Sequence, residues 1–517
     1  MTMTKRTAFS LCTIALLWGT LAQNAVAGET EASGFVTLVQ SRRDLEIGQL
    51  RVHVANDAKC SNDARDNRPS SLSPMPAPQI IGHLESHRRH TEAVGRTSLP
   101  CEALNLSVGS WIRVIGIQKP ELTFEAGSVM KYTQPIEVPT QDGAILEENP
   151  LSQGGGTTGR IWLNGFPLEF NGQTEFRKTK ASTKLNADWG PHQTFRYYHS
   201  RLSSAPDIVN SSDLSAGDCV IYRAVPIGEE EVLAKTLTLW DCSMSRSADR
   251  FAHTLGELSW TPPDYARRVP GTVHFYRRTL LRRGVPKGMV IPPDRILQDY
   301  VTRVGMSVLP DYAKALARRN PTAVLFRFVL VRSLGRFAKE AHRYNGADRP
   351  KYENSVVPVP DGLILIAADS GIAHLQNEAQ LAALLAIAET KVLQRHGLLA
   401  EQIVGADVPI DISSIFGYWQ EAQALRIGIR QMYLAGYDIR EAPFAWLVAN
   451  GKSVPNPIIG AGDPGSTVPW YAAYAFNYIS QYYRDVDYSK LKRGEKEYQQ
   501  FLDELRKADP QAFEPSK

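Results

Sequence analysis

Cysteine is scarce in this 517-residue chain, five in all, and no two stand in a Cys-x-x-Cys. That spacing is what a zinc ribbon or a thioredoxin-like redox site needs, so neither is supported. An excess of one charge is lacking too: 58 Lys and Arg face 54 Asp and Glu, a net +4 that gives no argument for nucleic acid. Beyond the N-terminus there is no run of about twenty apolar residues, the length a helix needs to cross a bilayer. The glycine-rich Gln153-Gly154-Gly155-Gly156-Thr157-Thr158-Gly159 is followed by no Gly-Lys-Ser/Thr and opens no helical pattern, which excludes a phosphate loop. Ser370 stands in Asp-Ser-Gly and not in the Gly-x-Ser-x-Gly of a nucleophile elbow.

The first 27 residues have the three parts of a secretory leader. Lys5 and Arg6 supply the charge, Ala8 to Leu21 the apolar stretch, and Ala25-Val26-Ala27 a small-residue cleavage site before Gly28. Residues 1–27 therefore read as a signal peptide and the chain as exported, periplasmic or extracellular, with no transmembrane anchor after cleavage. Cys12 follows Leu11, where a lipid-anchoring site requires a small residue, so no lipid anchor is expected. Four cysteines remain after cleavage: Cys60, Cys101, Cys219 and Cys242. An even number in an exported chain favours disulfides, and their grouping suggests Cys60 with Cys101 and Cys219 with Cys242. The other reading is free buried thiols.

The N-terminal half carries a weak internal repeat. Leu106-Ser107-Val108-Gly109 followed by Trp111-Ile112-Arg113-Val114 echoes Leu214-Ser215-Ala216-Gly217 followed by Cys219-Val220-Ile221-Tyr222. Each is a turn that opens an alternating strand, and each is preceded by a Gly-led strand, Gly34 to Leu38 and Gly159 to Leu163. Two small OB-like β-barrel modules are the economical reading, over 28–140 and 157–245, with the glycine-rich stretch as linker. Residues 246–290 read as a basic linker: Arg267, Arg268, Arg277, Arg278, Arg282, Arg283 and Lys287 are either a solvated face or a surface for anionic lipid or cell-wall polymer. Tyr471, Tyr474, Tyr478 and Tyr482 recur at helical spacing, as a core stripe or as a sugar or peptide platform.

Residues 377 to 396 read Asn-Glu-Ala-Gln-Leu-Ala-Ala-Leu-Leu-Ala-Ile-Ala-Glu-Thr-Lys-Val-Leu-Gln-Arg-His. This segment resembles the HtpX-type family of gluzincin zinc metallopeptidases, relatives of the CAAX prenyl protease. In that family Asn-Glu-Ala-Glu-Leu-Ala-Ala-Val-Leu-Ala leads into His-Glu-x-x-His and then Val-x-x-Arg-His. Two imidazoles at i and i+4 share one metal and the Glu between them activates its water. Here those positions hold Ile387, Ala388 and Lys391, none of which can serve. The family's third ligand lies in a Glu-Ala-Asp-x-x-Gly stretch that runs into Ala-Gly-Tyr-Asp. By spacing, Gln423, Ala424, Leu425 and Gly428 before Ala435-Gly436-Tyr437-Asp438 correspond to it, so Gln423 replaces the ligand. His396 matches the non-ligating Arg-His.

Other parts of the resemblance are Ile296-Leu297-x-x-Tyr300-Val301-x-x-Val304-Gly305, the β-rich Val324 to Val331, and Pro360 to Ile366. The last resembles the family's edge strand, to which an extended peptide adds, so Gly362, Ile364 and Ile366 are candidate binding residues. The resemblance implies an α+β zincin-like metallopeptidase-fold domain over 291–517, in which Ile387, Lys391 and Gln423 converge where zinc would sit. Zinc is the family's cofactor, and none is expected here. The chain as a whole reads as a multidomain pseudopeptidase that binds a peptide or envelope protein. Its rivals are an active peptidase or hydrolase with a non-standard site and a structural envelope module.

Overall fold

The computed structural model describes residues 30–63, 97–132, 136, 138, 141–148, 158–180, 207–208, 210–227, 231–241, 295–314, 326–332, 356–358, 362–368, 371–394, 412–449, 458–459 and 470–513. Everything said of structure below concerns these residues. The leader, the basic stretch 267–287, Ser370, His396 and Cys242 lie outside them, as does the side chain of Cys219.

The first sheet contains β1 (Thr30–Val39), β2 (Asp44–Ile47), β3 (Leu50–Asp63), β4 (Thr97–Leu99), β5 (Trp111–Lys119) and β6 (Thr123–Tyr132). Its order is β1-β2-β3-β6-β5, and β5 returns to pair with β1, which closes a five-stranded barrel. The β3–β6 pair is parallel and the other pairs are antiparallel. Alternation on β6 sends Phe124 and Ala126 inward, where they meet Ile47, Leu50, Val52, Ile112, Val114 and Val129. Cys60 on β3 and Cys101 form a disulfide that ties the short turn Cys101–Leu104 to the barrel wall, as expected.

The second sheet contains β7 (Gln141–Glu148), β8 (Gly159–Leu163), β9 (Phe166–Phe170), β10 (Glu175–Lys180), β11 (Asp207–Ile208), β12 (Cys219–Pro226) and β13 (Val232–Asp241). It runs β11-β10-β13-β12-β7-β8-β9 and curls into a half-barrel far enough for β9 to meet β13 over two residue pairs. β7 is part of this sheet, so the second module begins at 141 and not at 157. The glycine-rich stretch runs between the first two strands of one sheet and does not link two modules.

The repeat is physical. Gly109 has φ +88° and Gly217 has φ +95°, values open to glycine at little cost. Each turn clasps the first strand of its own sheet with two bonds. Gly109 N–H donates to Val36 O (2.7 Å) and Val36 N–H to Ser110 O (2.8 Å); Gly217 N–H donates to Leu146 O (2.9 Å) and Leu146 N–H to Asp218 O (2.8 Å). The counterpart of β1 is therefore β7, not the Gly159-led β8.

The C-terminal part contains helices α1 (Arg295–Val308), α2 (Glu378–Leu393), α3 (Ile412–Leu434), α4 (Glu441–Ala449), α5 (Trp470–Tyr482) and α6 (Glu495–Ala508). They accompany a small sheet of β14 (Arg327–Val331), β15 (Val356–Pro358) and β16 (Leu363–Ala367), in the order β14-β16-β15. α2 is mostly apolar and almost wholly buried, with no distinct polar face, so packing and not amphipathicity holds it. A further strand, β17 (Ile458–Ile459), crosses to the first barrel and pairs with Ala32 and Ser33 of β1. One apolar core runs without a break from Leu163, Phe166 and Leu168 of the second sheet to Leu385, Ile429 and Tyr478 of the helices.

Candidate functional site

The candidate site is built on α2. Asn377 caps it, its side-chain oxygen accepting from Gln380 N–H at 3.0 Å, as Asn does at such a position. Glu378 follows, wholly buried, and its carboxylate accepts from Lys492 Nζ (2.6 Å), Arg303 Nη2 (2.8 Å), Tyr300 Oη (2.8 Å) and Tyr437 Oη (2.8 Å). Burial alone would raise its pKa. The bonds from Arg303, Lys492, Tyr300 and Tyr437 outweigh burial and hold the pKa down at about 2. One carboxylate thus joins α1, the start of α2, the turn after α3 and the segment before α6.

Further along, α2 crosses α3 at Ile387. A Cβ built on Gly428 would lie 2.7 Å from Ile387 Cγ1 and 3.2 Å from Ile387 N, so the two backbones touch and hydrocarbon fills the seam. One turn on, Lys391 Nζ meets Glu421 Oε1 at 2.5 Å. Between them Thr390 donates to Ala386 O (2.8 Å) and approaches Gln431 Oε1 (3.3 Å). Ala388 is buried. Glu389 is also fully buried, and neither of its oxygens has a hydrogen-bond partner; burial pushes its pKa well above the ordinary carboxylate range.

Gln423 is not in this seam. At about 100° per residue, Gln423, Arg426 and Arg430 share a stripe on the opposite side of α3 from Glu421 and Gly428. Gln423 Nε2 donates to Asn164 Oδ1 (2.8 Å) at the tip of the β8–β9 hairpin. The expected convergence of Ile387, Lys391 and Gln423 is therefore corrected: Ile387, Lys391, Glu421 and Gly428 meet, and Gln423 docks the second sheet. The carboxylate that reaches the seam is Glu421, two residues before Gln423.

The strand at 362–366 also needs correction. β16 pairs with β14 through Ile364↔Phe328 and Ile366↔Leu330, and with β15 through Ile364↔Pro358 and Ile366↔Val356. It is the central strand, and Ile364 and Ile366 are fully buried. Gly362, at φ +93°, turns the chain into that strand. Strand addition at Ile364 and Ile366 is blocked on both sides, and Gly362 O already accepts from Arg327 N–H (3.0 Å); among the described residues the sheet's edges are β14 and β15. The tyrosine stripe is core: Tyr478 is fully buried, Tyr474 Oη accepts from Arg426 Nη1 (2.6 Å), and Phe166 and Tyr482 pack edge to face at 5.6 Å.

The donor set does not suit zinc. Ile387 has no lone pair, Lys391 places an ammonium at the seam, and Glu421 is engaged with it. Among the described residues no three His, Cys, Asp or Glu are grouped as metal ligands, and no helix is long and apolar enough to cross a membrane. No protein-family model and no curated protein matches this chain.

Proposed function

We propose that the chain is an exported, catalytically inactive relative of the HtpX-type metallopeptidases that acts by binding a protein or peptide partner. One observation carries this reading. The α2–α3 seam, where the resemblance puts a metal and its water, is filled by Ile387 against Gly428 and by the Lys391–Glu421 pair. The lysine charge answers the carboxylate as a cation would, which keeps the seam neutral without a metal. Both N-terminal modules we read as OB-like. Leaving the short β4 aside, the first closes in the order first-second-third-fifth-fourth with its third and fifth strands parallel, and the clasp turns of the second repeat it. A structural envelope role is the second reading, favoured by the core that runs unbroken from the second sheet into the helices.

The test is zinc uptake and proteolysis by the purified mature protein. We expect no zinc after dialysis against it and no chelator-sensitive cleavage of a peptide library. Stoichiometric zinc in the wild type overturns the reading. The variant Ile387→His, Ala388→Glu, Lys391→His, with native Glu421 as third ligand, should gain zinc. Adding Gln423→Glu should gain nothing further and should destabilise by ~1–3 kcal/mol, because Asn164 Oδ1 loses a buried donor.

A further inference from the structure

The second module carries the dipeptide Asn-Gly at two turns, and the fold treats them in opposite ways. In this pair the asparagine side chain is open to attack by the next main-chain nitrogen, because glycine has no Cβ to obstruct the approach. At the β8–β9 turn Asn164 is fully buried, and its Oδ1 accepts from Gln423 Nε2 and Arg426 Nη2, both at 2.8 Å. The Gly165 N–H donates to Glu147 Oε1 at 2.7 Å, so the side chain and the nitrogen are both held, away from water. At the β9–β10 turn Asn171 is half-buried and Gly172 is exposed, with nothing within 4 Å of the place a Cβ would take. Among the described residues no hydrogen bond engages the Gly172 N–H. Asn171 Oδ1 accepts from Gln173 N–H at 2.9 Å, and Thr174 N–H closes the turn on Asn171 O, also at 2.9 Å.

An N–H aimed at Oδ1 stabilises the negative charge that forms there when a nucleophile adds to Cγ, as an oxyanion hole does. The adjacent nitrogen is that nucleophile, and the turn holds it beside Cγ. We propose that Asn171-Gly172 is a self-modifying site. The Gly172 nitrogen gives its proton to solvent and forms a bond to Asn171 Cγ; the side-chain nitrogen takes up a proton and leaves as ammonia, which closes a cyclic imide. Water then opens the imide at either carbonyl and leaves aspartate or isoaspartate at position 171. Nothing is oxidised or reduced, and water is the co-reactant. Either product adds a negative charge, and isoaspartate also lengthens the main chain by a carbon atom. The turn affected is part of the closure of the half-barrel. Asn171 N–H donates to Thr174 Oγ1 (3.1 Å), and the buried Thr174 hydroxyl donates to Ala234 O on β13 (2.7 Å). Close by, β9 meets β13 through Leu168↔Val232 and Glu169↔Leu233 alone, so conversion at position 171 loosens that closure. The site is independent of the binding role proposed above.

The test is peptide mapping by mass spectrometry of the full-length protein held in mildly alkaline buffer, folded and in urea, with isoaspartate counted by enzymatic methylation. In urea the two asparagines should convert at similar rates. On folding, conversion at Asn164 should slow by about tenfold or more, while Asn171 keeps its rate in urea to within about threefold. Gly172→Ala places a methyl in open space and should fold, yet it should slow conversion at position 171 by about tenfold or more. A folded chain in which Asn171 is protected as strongly as Asn164, or a Gly172→Ala variant that converts as fast as the wild type, overturns the proposal. In the converted fraction, amide exchange of Val232 and Leu233 should quicken by about tenfold; unchanged exchange overturns the loosening of the closure.

Discussion

Glu378 shows at the scale of one residue how a buried charge becomes structural. A lone buried carboxylate would be strongly destabilising, but here two cations and two hydroxyls meet it. Its folded pKa is about 2, below the ordinary value of 4.5, so its contribution is fully present above about pH 4.5 and is lost as pH falls toward 2. Each pH unit of displacement corresponds to ~1.4 kcal/mol. Allowing for screening at the half-exposed Arg303 and Lys492, the group should contribute about 2 kcal/mol at pH 7. Urea unfolding of Glu378→Gln should show that loss at pH 7 and a shallower decline than the wild type between pH 4.5 and 2. Equal stability of the two proteins at pH 7 would contradict the account. The helix within residues 377 to 396 was readable from the resemblance of its frame. The phase of Gln423 was not: which face of α3 it occupies depends on where a hairpin some 260 residues away in sequence comes to rest.

Among the elements, β16 separates what pattern can say from what it cannot. Residues 363–367 were legible as a strand from their apolar run and its resemblance to an edge strand, yet edge and centre differ only in whether neighbours pair on both sides. Those neighbours come from segments with no marked sequence link to it. Ile364→Pro, tolerable at an edge, should here break a ladder flanked by β14 and β15 and cost ~3 kcal/mol or more. Circular dichroism and thermal melting would check it; a well-folded variant with little change in melting would return β16 to the edge. The clasp turns lie at the other extreme. Gly109 and Gly217 impose their backbone conformation locally, so their repeat was visible in the sequence. The first turn clasps the Gly34-led strand that the repeat pointed to; the second clasps β7 and not the Gly159-led strand, because which strand a turn meets is decided by the sheet and not by the turn's own residues.

At the scale of the whole molecule, the two N-terminal modules stand in different relations to the helices. The second shares their core, while the first keeps a core of its own around Ile47, Leu50, Ile112 and Phe124. The first barrel is joined to α5 by a small apolar contact of Phe35 and Trp111 on Phe476, Ala472 and Ala473. Phe35 stacks on Phe476 with ring centroids 4.3 Å apart, and the hydroxyls of Ser107, Ser110 and Ser480 lie within 3.2 Å of one another. Gly109 approaches so closely that a Cβ there would lie 2.2 Å from Phe476 O. Two unfolding units follow, one of barrel and disulfide, the other of second sheet and helices, coupled through Phe476. Truncating a buried Phe costs ~3–5 kcal/mol, and in Phe476→Ala much of that loss falls on the joint. Calorimetry of Phe476→Ala should therefore resolve two transitions where the wild type shows stronger coupling. Reducing the Cys60–Cys101 bridge should lower only the transition of the first barrel, because the bridge closes a loop inside that core. If reduction moves both transitions of the variant equally, the first barrel is not an independent unit and the division of cores is wrong.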